Sequence, residues 1–311
     1  MPKILQVIIL AIVQGLAELL PVSSSAHVVV AESILHKHFG GLPPSDPNMT
    51  LLLVMLHTGT MFAVIVYFWK QWVQAYFSSA DAFQRFVVRV LWATLLTGIV
   101  GETLNKVIEH TLFKGQPKAA LEDLFGRLDL VAPALACAGI LILIAGLREK
   151  KSEAAAASEA ASVAGSITRR PSGNVTMKQA GWMGFVQGLC LPFRGFSRSG
   201  ATISAGMLTD ASKERAERFS FALAVVITPL AIGREALRLV NATHEAAATG
   251  SPIDLHGTVM ISLLGALFAF FAGLVALKWL SSWLENGRWY LFGIYCLVAS
   301  AVVFWLHTRG Y

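Results

Sequence analysis

Apolar residues run in long blocks along this chain. Six stretches, at about 50–69, 86–104, 128–147, 219–239, 257–280 and 289–307, are poor in charge and long enough to cross a bilayer, whose hydrocarbon core takes about 20 residues of helix. Backbone surrounded by lipid must satisfy its own hydrogen bonds, so each stretch is predicted to be an α-helix. Two further apolar regions break in the middle. One covers about 4–35 and is interrupted at Pro21-Val22-Ser23-Ser24-Ser25; the other covers about 180–209 and is interrupted at Pro192-Phe193-Arg194-Gly195-Phe196-Ser197-Arg198-Ser199-Gly200. Irregular backbone at membrane depth survives only when buried in protein or facing a wet cavity. Each region is therefore read as two short helices in a re-entrant hairpin. The expected fold is an all-α polytopic membrane protein with six transmembrane helices plus two re-entrant helical hairpins.

The two breaks resemble copies of one another. Val13-Gln14-Gly15-Leu16 leads into the first and Val186-Gln187-Gly188-Leu189 into the second, and a proline and a serine-rich turn follow in each. This predicts a single integral membrane domain over 1–311 built from repeat halves at about 1–150 and 175–311. Between them 151–178, rich in Ala, Ser and charge, reads as a solvated polar linker with no core of its own. Three spans separate the hairpins. A span changes sides and a re-entrant hairpin does not, so the hairpins are expected to enter from opposite faces and meet near the midplane. That is an inverted repeat, which places binding sites where broken helices converge.

Composition agrees with lipid as the main solvent. Of the 311 residues 55% are hydrophobic and 14% charged, against about 25% charged in a soluble domain. The net charge of +6 does not imply nucleic acid, because the basic residues sit mainly in loops between apolar runs, where they report topology. Placing the linker in the cytoplasm puts Arg148, Lys150, Lys151, Arg169, Arg170 and Lys178 inside, and leaves 240–256, which lacks Lys and Arg, outside. The outside loop at 105–127 carries Lys106, Lys114, Lys118 and Arg127 against this trend. Both termini are then expected outside. Cys137, Cys190 and Cys296 are scattered in apolar stretches and form neither a disulfide framework nor a metal pattern. The N-terminal apolar run is not read as a signal peptide, since Gln14, Glu18 and Pro21 interrupt it.

The polar residues inside the broken regions carry the candidate chemistry. Gln14 and Glu18 are four apart and share a helix face, and a carboxylate within an apolar helix is costly and usually functional. Ser23, Ser24, Ser25 and His27 follow Pro21. A helix starting there offers free N–H groups and a positive dipole end to an anion, hydroxyls that donate to phosphate or attack it, and an imidazole for acid–base or nucleophilic work. Plain helix capping by a serine is the bland reading. In the second break Arg198, flanked by Ser197, Ser199 and Thr202, supplies a fork of donors that suits phosphate oxygens, and Arg194 is a second cation. A carboxylate beside a phosphate suits a hard divalent cation such as Mg2+. A phosphate site within the membrane implies a lipid phosphate as substrate. A transporter or flippase of the same lipid stays open beside a hydrolase, because broken helices at the midplane serve transport too.

At these residues the sequence resembles the undecaprenyl-diphosphate phosphatases, the bacitracin-resistance family. The resemblance covers nearly the whole chain and is carried by Gln14-Gly15-Leu16-Ala17-Glu18-Leu19-Leu20-Pro21-Val22-Ser23-Ser24-Ser25-Ala26-His27 and by Gly195-Phe196-Ser197-Arg198-Ser199-Gly200-Ala201-Thr202. It implies hydrolysis of undecaprenyl diphosphate to undecaprenyl phosphate, the carrier lipid of cell-wall precursors, at the bacterial inner membrane and with Mg2+ or Ca2+. It implies Ser24 as nucleophile, His27 as acid or base, Glu18 as essential carboxylate, Arg198 as phosphate ligand, and Glu18 with Gln14 on the metal side. Ser23, Ser25, Arg194, Ser197, Ser199 and Thr202 are the expected substrate-binding residues. His27 or a metal-activated water as the attacking group stays open, as does a homodimer; no nucleic-acid partner is expected. Two departures stand out: Phe193-Arg194 separates Pro192 from Gly195, and Gln14 stands where a glutamate is common in the family.

Overall fold

The computed structural model describes residues 2–40, 47–112, 127–162, 174–248 and 255–310. Among these, ten helices and no strand are found. They are α1 (Lys3–Leu19), α2 (Ser24–Phe39), α3 (Pro47–Tyr76), α4 (Ala80–Leu112) and α5 (Leu128–Ser162), then α6 (Met177–Cys190), α7 (Arg198–Leu208), α8 (Lys213–Ala248), α9 (Leu255–Glu285) and α10 (Trp289–Thr308). The all-helical polytopic architecture is the one the hydrophobic blocks predict. Five helices contain stretches long and apolar enough to cross a membrane: Leu51–Tyr76, Ala80–Thr111, Leu128–Ser152, Val259–Glu285 and Trp289–Thr308. The sixth expected span, 219–239, falls within α8, which carries Pro229 inside it. Large apolar side chains point outward along these helices, among them Val66, Leu91, Phe271, Val275 and Val298. Such a continuous apolar exterior belongs in lipid rather than water.

The helices outrun the apolar windows that announced them. α4 starts at Ala80, ahead of the expected 86, and α8 runs from Lys213 to Ala248 around the expected 219–239. A bilayer limits the apolar stretch and not the helix, so the ends continue into the polar surroundings. The same reasoning accounts for α5, which carries on to Ser162 through the first part of the expected linker. Ala, Glu and Lys dominate that part and are strong helix formers. The linker residues 163–173, including Arg169 and Arg170, and the loop positions Lys114 and Lys118 lie outside the described residues.

Packing sets the two broken regions face to face. α1 lies against α9, and α6 lies against α4; α5 pairs with α10, and α3 with α8 and α9. Small residues allow the close approaches, as is usual between membrane helices. A Cβ at Gly15 on α1 would stand 2.7 Å from the carbonyl oxygen of Ala269 on α9, and one at Gly188 on α6 would stand 2.9 Å from that of Thr97 on α4. The buried core runs through the middle of this bundle, with Leu135, Ile142, Ile203, Phe219, Leu277 and Trp289 fully enclosed. Trp289 donates its indole N–H to Ser204 at 3.0 Å, so the largest core side chain leaves no polar atom unpaired.

Candidate active site

Local sequence makes both breaks. Pro21 removes a backbone donor and pushes the residue before it out of the helical region, and Leu20 is extended accordingly, at φ −78° and ψ 150°. Ser23 then takes a positive φ of 68°, a conformation that a non-glycine residue holds only when its surroundings impose it. Its side chain accepts a hydrogen bond from the Ala26 N–H at 3.4 Å and so caps α2. In the second break Gly195 has φ +102°, and a Cβ there would meet the Val131 carbonyl oxygen at 2.4 Å; no other residue type fits. Ser197 caps α7 by accepting from the Gly200 N–H at 3.2 Å.

The two breaks touch. Gly195 N–H donates to Ser25 Oγ at 3.1 Å, and Ser199 Oγ donates to the Leu20 carbonyl oxygen at 3.3 Å. Each hairpin thus lends one serine to the backbone of the other. The contact encloses the Glu18 carboxylate, whose side chain is only 11% exposed. Arg198 Nη2 lies 2.6 Å from Glu18 Oε1. On the other oxygen, Oε2, converge the Ser24 hydroxyl in a short hydrogen bond, the Gln14 amide at 3.1 Å, and His57 Nε2 at 3.7 Å. Residues 180 positions apart in sequence therefore share one carboxylate. Removing either member of so enclosed a pair would leave the other charge uncompensated.

Of the residues singled out in the sequence, Gln14, Glu18, Ser24 and Arg198 form one hydrogen-bonded cluster. His27 faces elsewhere. Its Nδ1 meets the Ser23 carbonyl oxygen at 2.8 Å and its Nε2 meets the Tyr295 hydroxyl at 2.7 Å, with the two rings stacked. The Ser24 hydroxyl is directed to Glu18 instead. Ser23, Ser25, Ser197 and Ser199 make the caps and cross-links just described. Thr202 donates to the Arg198 carbonyl oxygen at 2.9 Å and exchanges a short hydrogen bond with Ser220 on α8. These hydroxyls build the turn that carries Arg198. Arg194 sits at the exposed rim of the second break and acts electrostatically on Glu32 of α2.

Three side chains at the site had no place in the sequence argument. His57 and Tyr295 come from the middle of apolar spans, where a polar side chain is itself a signal. Glu32 is buried, 6% exposed, and its Oε1 has no hydrogen-bond partner. It lies seven residues after Ser25, hence on the same face of α2.

A divalent cation can be tested against these donors. Among the described residues no group of three His, Cys, Asp or Glu side chains is arranged to hold a metal. Glu18 is the cluster's carboxylate, and Gln14, by turning its amide nitrogen to Glu18, leaves its carbonyl oxygen as a further ligand. One carboxylate with a neutral oxygen fits Mg2+, which keeps waters and takes the balance of its ligands from substrate phosphates. It does not fit an all-protein cage.

A carboxylate, a guanidinium and a hydroxyl enclosed where two broken helices meet, within a polytopic membrane protein, define a membrane-embedded site for a phosphorylated lipid. The chain belongs to the bacitracin resistance protein BacA family, whose model matches residues 7–302. It is 50% identical over 301 residues to undecaprenyl-diphosphatase 2 of Acinetobacter baylyi, covering 96% of each chain. It is 31% identical to undecaprenyl-diphosphatase of Moorella thermoacetica, over 97% of this chain and 98% of that one. It is also 30% identical to undecaprenyl-diphosphatase 2 of Burkholderia ambifaria, over 97% of both.

Proposed function

We propose that this protein hydrolyses undecaprenyl diphosphate to undecaprenyl phosphate and inorganic phosphate, returning the carrier lipid for cell-wall synthesis in the inner membrane of a bacterium and conferring bacitracin resistance. The observation that carries the mechanism is the sharing of Glu18 between Ser24 and Arg198. The terminal phosphate takes the guanidinium of Arg198, which neutralises charge on the transferred group. That is the dominant requirement in phosphoryl transfer. Release of Arg198 frees Glu18 Oε1, while Oε2 keeps the Ser24 proton within reach.

Ser24 Oγ attacks the terminal phosphorus as its proton passes to Glu18. The bond from that phosphorus to the bridging oxygen breaks, and undecaprenyl phosphate leaves. Water then attacks the phosphoserine, releases inorganic phosphate and restores the hydroxyl. Glu18 and the Gln14 carbonyl oxygen would hold Mg2+, which would supply further charge neutralisation. The bonds of His27 to Ser23 and Tyr295 support a role in shaping the mouth of the site rather than in the attack. The exchange of partners between hairpins, α1 with α9 and α6 with α4, supports an inverted repeat.

The test uses substrate labelled in its terminal phosphate and protein quenched in acid. Label is expected on the wild-type chain and absent from Ser24→Ala, with phosphate released in detergent in the absence of any gradient. Label that persists in Ser24→Ala and vanishes in His27→Ala would move the nucleophile to His27. A folded wild type that binds the lipid but releases no phosphate would leave a carrier in place of a hydrolase.

A further inference from the structure

A second polar cluster lies away from Glu18, at the end of the bundle where α3 turns into α4 and the linker ends. Asn174, near the end of the linker, donates to the Ala75 carbonyl oxygen at 3.1 Å. Next to it the Tyr76 ring, 2% exposed, stacks on Phe86 of α4 with centroids 4.1 Å apart. On its other neighbour, α8, the Arg218 guanidinium lies 6.0 Å from the centroid of the same ring. Trp72, one turn before Tyr76, fixes this end of α8 by donating its indole N–H to the Arg218 carbonyl oxygen at 3.2 Å. Arg89 is three residues beyond Phe86 and so stands over the same face of α4. Arg85 follows four residues earlier on that helix.

Arg89 and Arg218, from two helices, thus flank one buried tyrosine, with the exposed Arg85 one turn before Arg89, and the two flanking arginines are under-satisfied. Nε and Nη1 of Arg89 and Nε of Arg218 are shielded and have no hydrogen-bond partner. None of Arg85, Arg89 and Arg218 forms an ion pair among the described residues. The carboxylate beside Arg218, Glu217, is turned away to accept from Ser281 at 2.8 Å. Guanidinium N–H groups left unpaired in shielded surroundings are costly, and like charges on adjacent turns repel. Such an arrangement calls for an anion.

The surroundings indicate which one. Phe77 and Phe83 are exposed and stack at 5.5 Å on the same α3–α4 turn, and Trp69 is exposed one to two turns below. Aromatic side chains gather at the headgroup level of a bilayer. Beside and beyond Arg89 the outer face of α4 is apolar, with Val88, Leu91 and Leu95 exposed, a surface along which acyl chains can lie. Basic pockets between membrane helices take anionic headgroups.

We infer that Arg89 and Arg218, beside Tyr76, together with Arg85 one turn away, bind the phosphate headgroup of an anionic membrane phospholipid. The site is separate from the Glu18 cluster and independent of the activity proposed above. Arg89 and Arg218 supply the shielded donors, and Arg85 supplies the outermost charge.

The experiment measures lipid retained by the full-length protein, by native mass spectrometry after extraction from vesicles of equal phosphatidylglycerol and phosphatidylcholine. Wild type is expected to retain phosphatidylglycerol preferentially. Arg89→Gln and Arg218→Gln should each lower that preference about fivefold, from roughly 1 kcal/mol per arginine near a charged headgroup, and the double variant should abolish it. Arg89→Lys keeps the charge without the fork and should fall between. Phosphate release from undecaprenyl diphosphate in detergent should stay within about twofold of wild type, which shows that the variants fold. Equal retention of the two lipids by wild type, or an unaltered preference in the double variant, overturns the assignment. So does titration with inorganic phosphate that saturates these arginines without displacing the lipid.

Discussion

The two hairpins are built alike and used differently. In both, a serine caps the second helix by accepting from the N–H three residues on: Ser23 in one, Ser197 in the other. The residue after the cap points at Glu18, as Ser24 in the first hairpin and Arg198 in the second. The next residue, Ser25 or Ser199, binds the backbone of the opposite break. The glutamines upstream, Gln14 and Gln187, also match, but the position four residues on holds Glu18 in one copy and Leu191 in the other. Gln187 accordingly has no carboxylate to serve and reaches Thr97 at 3.4 Å. Two breaks of like build therefore need only one carboxylate, because the geometry delivers a hydroxyl to one of its oxygens and a guanidinium to the other.

That asymmetry can be attacked directly. Arg198→Ala and Glu18→Gln should each reduce kcat/KM for phosphate release about 10^3-fold or more, the scale of an arginine or electrostatic contact to a transferring phosphoryl group. Leu191→Ala, at the position matching Glu18, should remain within a few-fold; comparable losses at both positions would mean that the copies share the chemistry equally. Next in size is Gly195→Ala, which forces a Cβ against Val131 at φ +102°. It should lower the yield of folded protein in detergent and cost about 1–3 kcal/mol, read as a drop in thermal unfolding temperature. A smaller effect separates the two glutamines: Gln14→Ala should cost about tenfold in activity, the worth of one hydrogen bond to a charged group, and Gln187→Ala almost none. Smallest are Ser25→Ala and Ser199→Ala, about 1 kcal/mol of stability each. In the double variant the losses should fail to add, since both bonds close the same contact.

Hydrophobic blocks made the helices legible, because twenty consecutive apolar residues admit few alternatives. The breaks were legible for the opposite reason: Pro21, Arg198 and Glu18 are costly inside a membrane and must be accounted for. The starts of α4 at Ala80 and of α8 at Lys213 were not legible, since nothing in an apolar window says how far a helix continues beyond the lipid. His57 and Tyr295 escaped because each lies on a long apolar span without a motif around it, and only the crossing of α3 and α10 with the first hairpin gives them a partner. The placement of His27 also depended on Tyr295, 268 residues away. The serines of both motifs could be assigned to a phosphate site from sequence, but not divided into those that cap, those that cross-link and the one that meets Glu18.

Arg198 is already paired with Glu18, and the bilayer around it is crowded with competing anions. The surrounding leaflets hold a vast molar excess of phosphodiester lipids with a single negative charge. Such a lipid can reach Arg198 only by exchanging one monoanion for another and stranding the carboxylate in poorly hydrated surroundings. A terminal diphosphate brings surplus negative charge, so it gains more from the exchange than a phosphodiester does. The internal pair thus selects by valence before any feature of the isoprenoid chain is read, and keeps the enzyme from being silenced by the solvent in which it is dissolved.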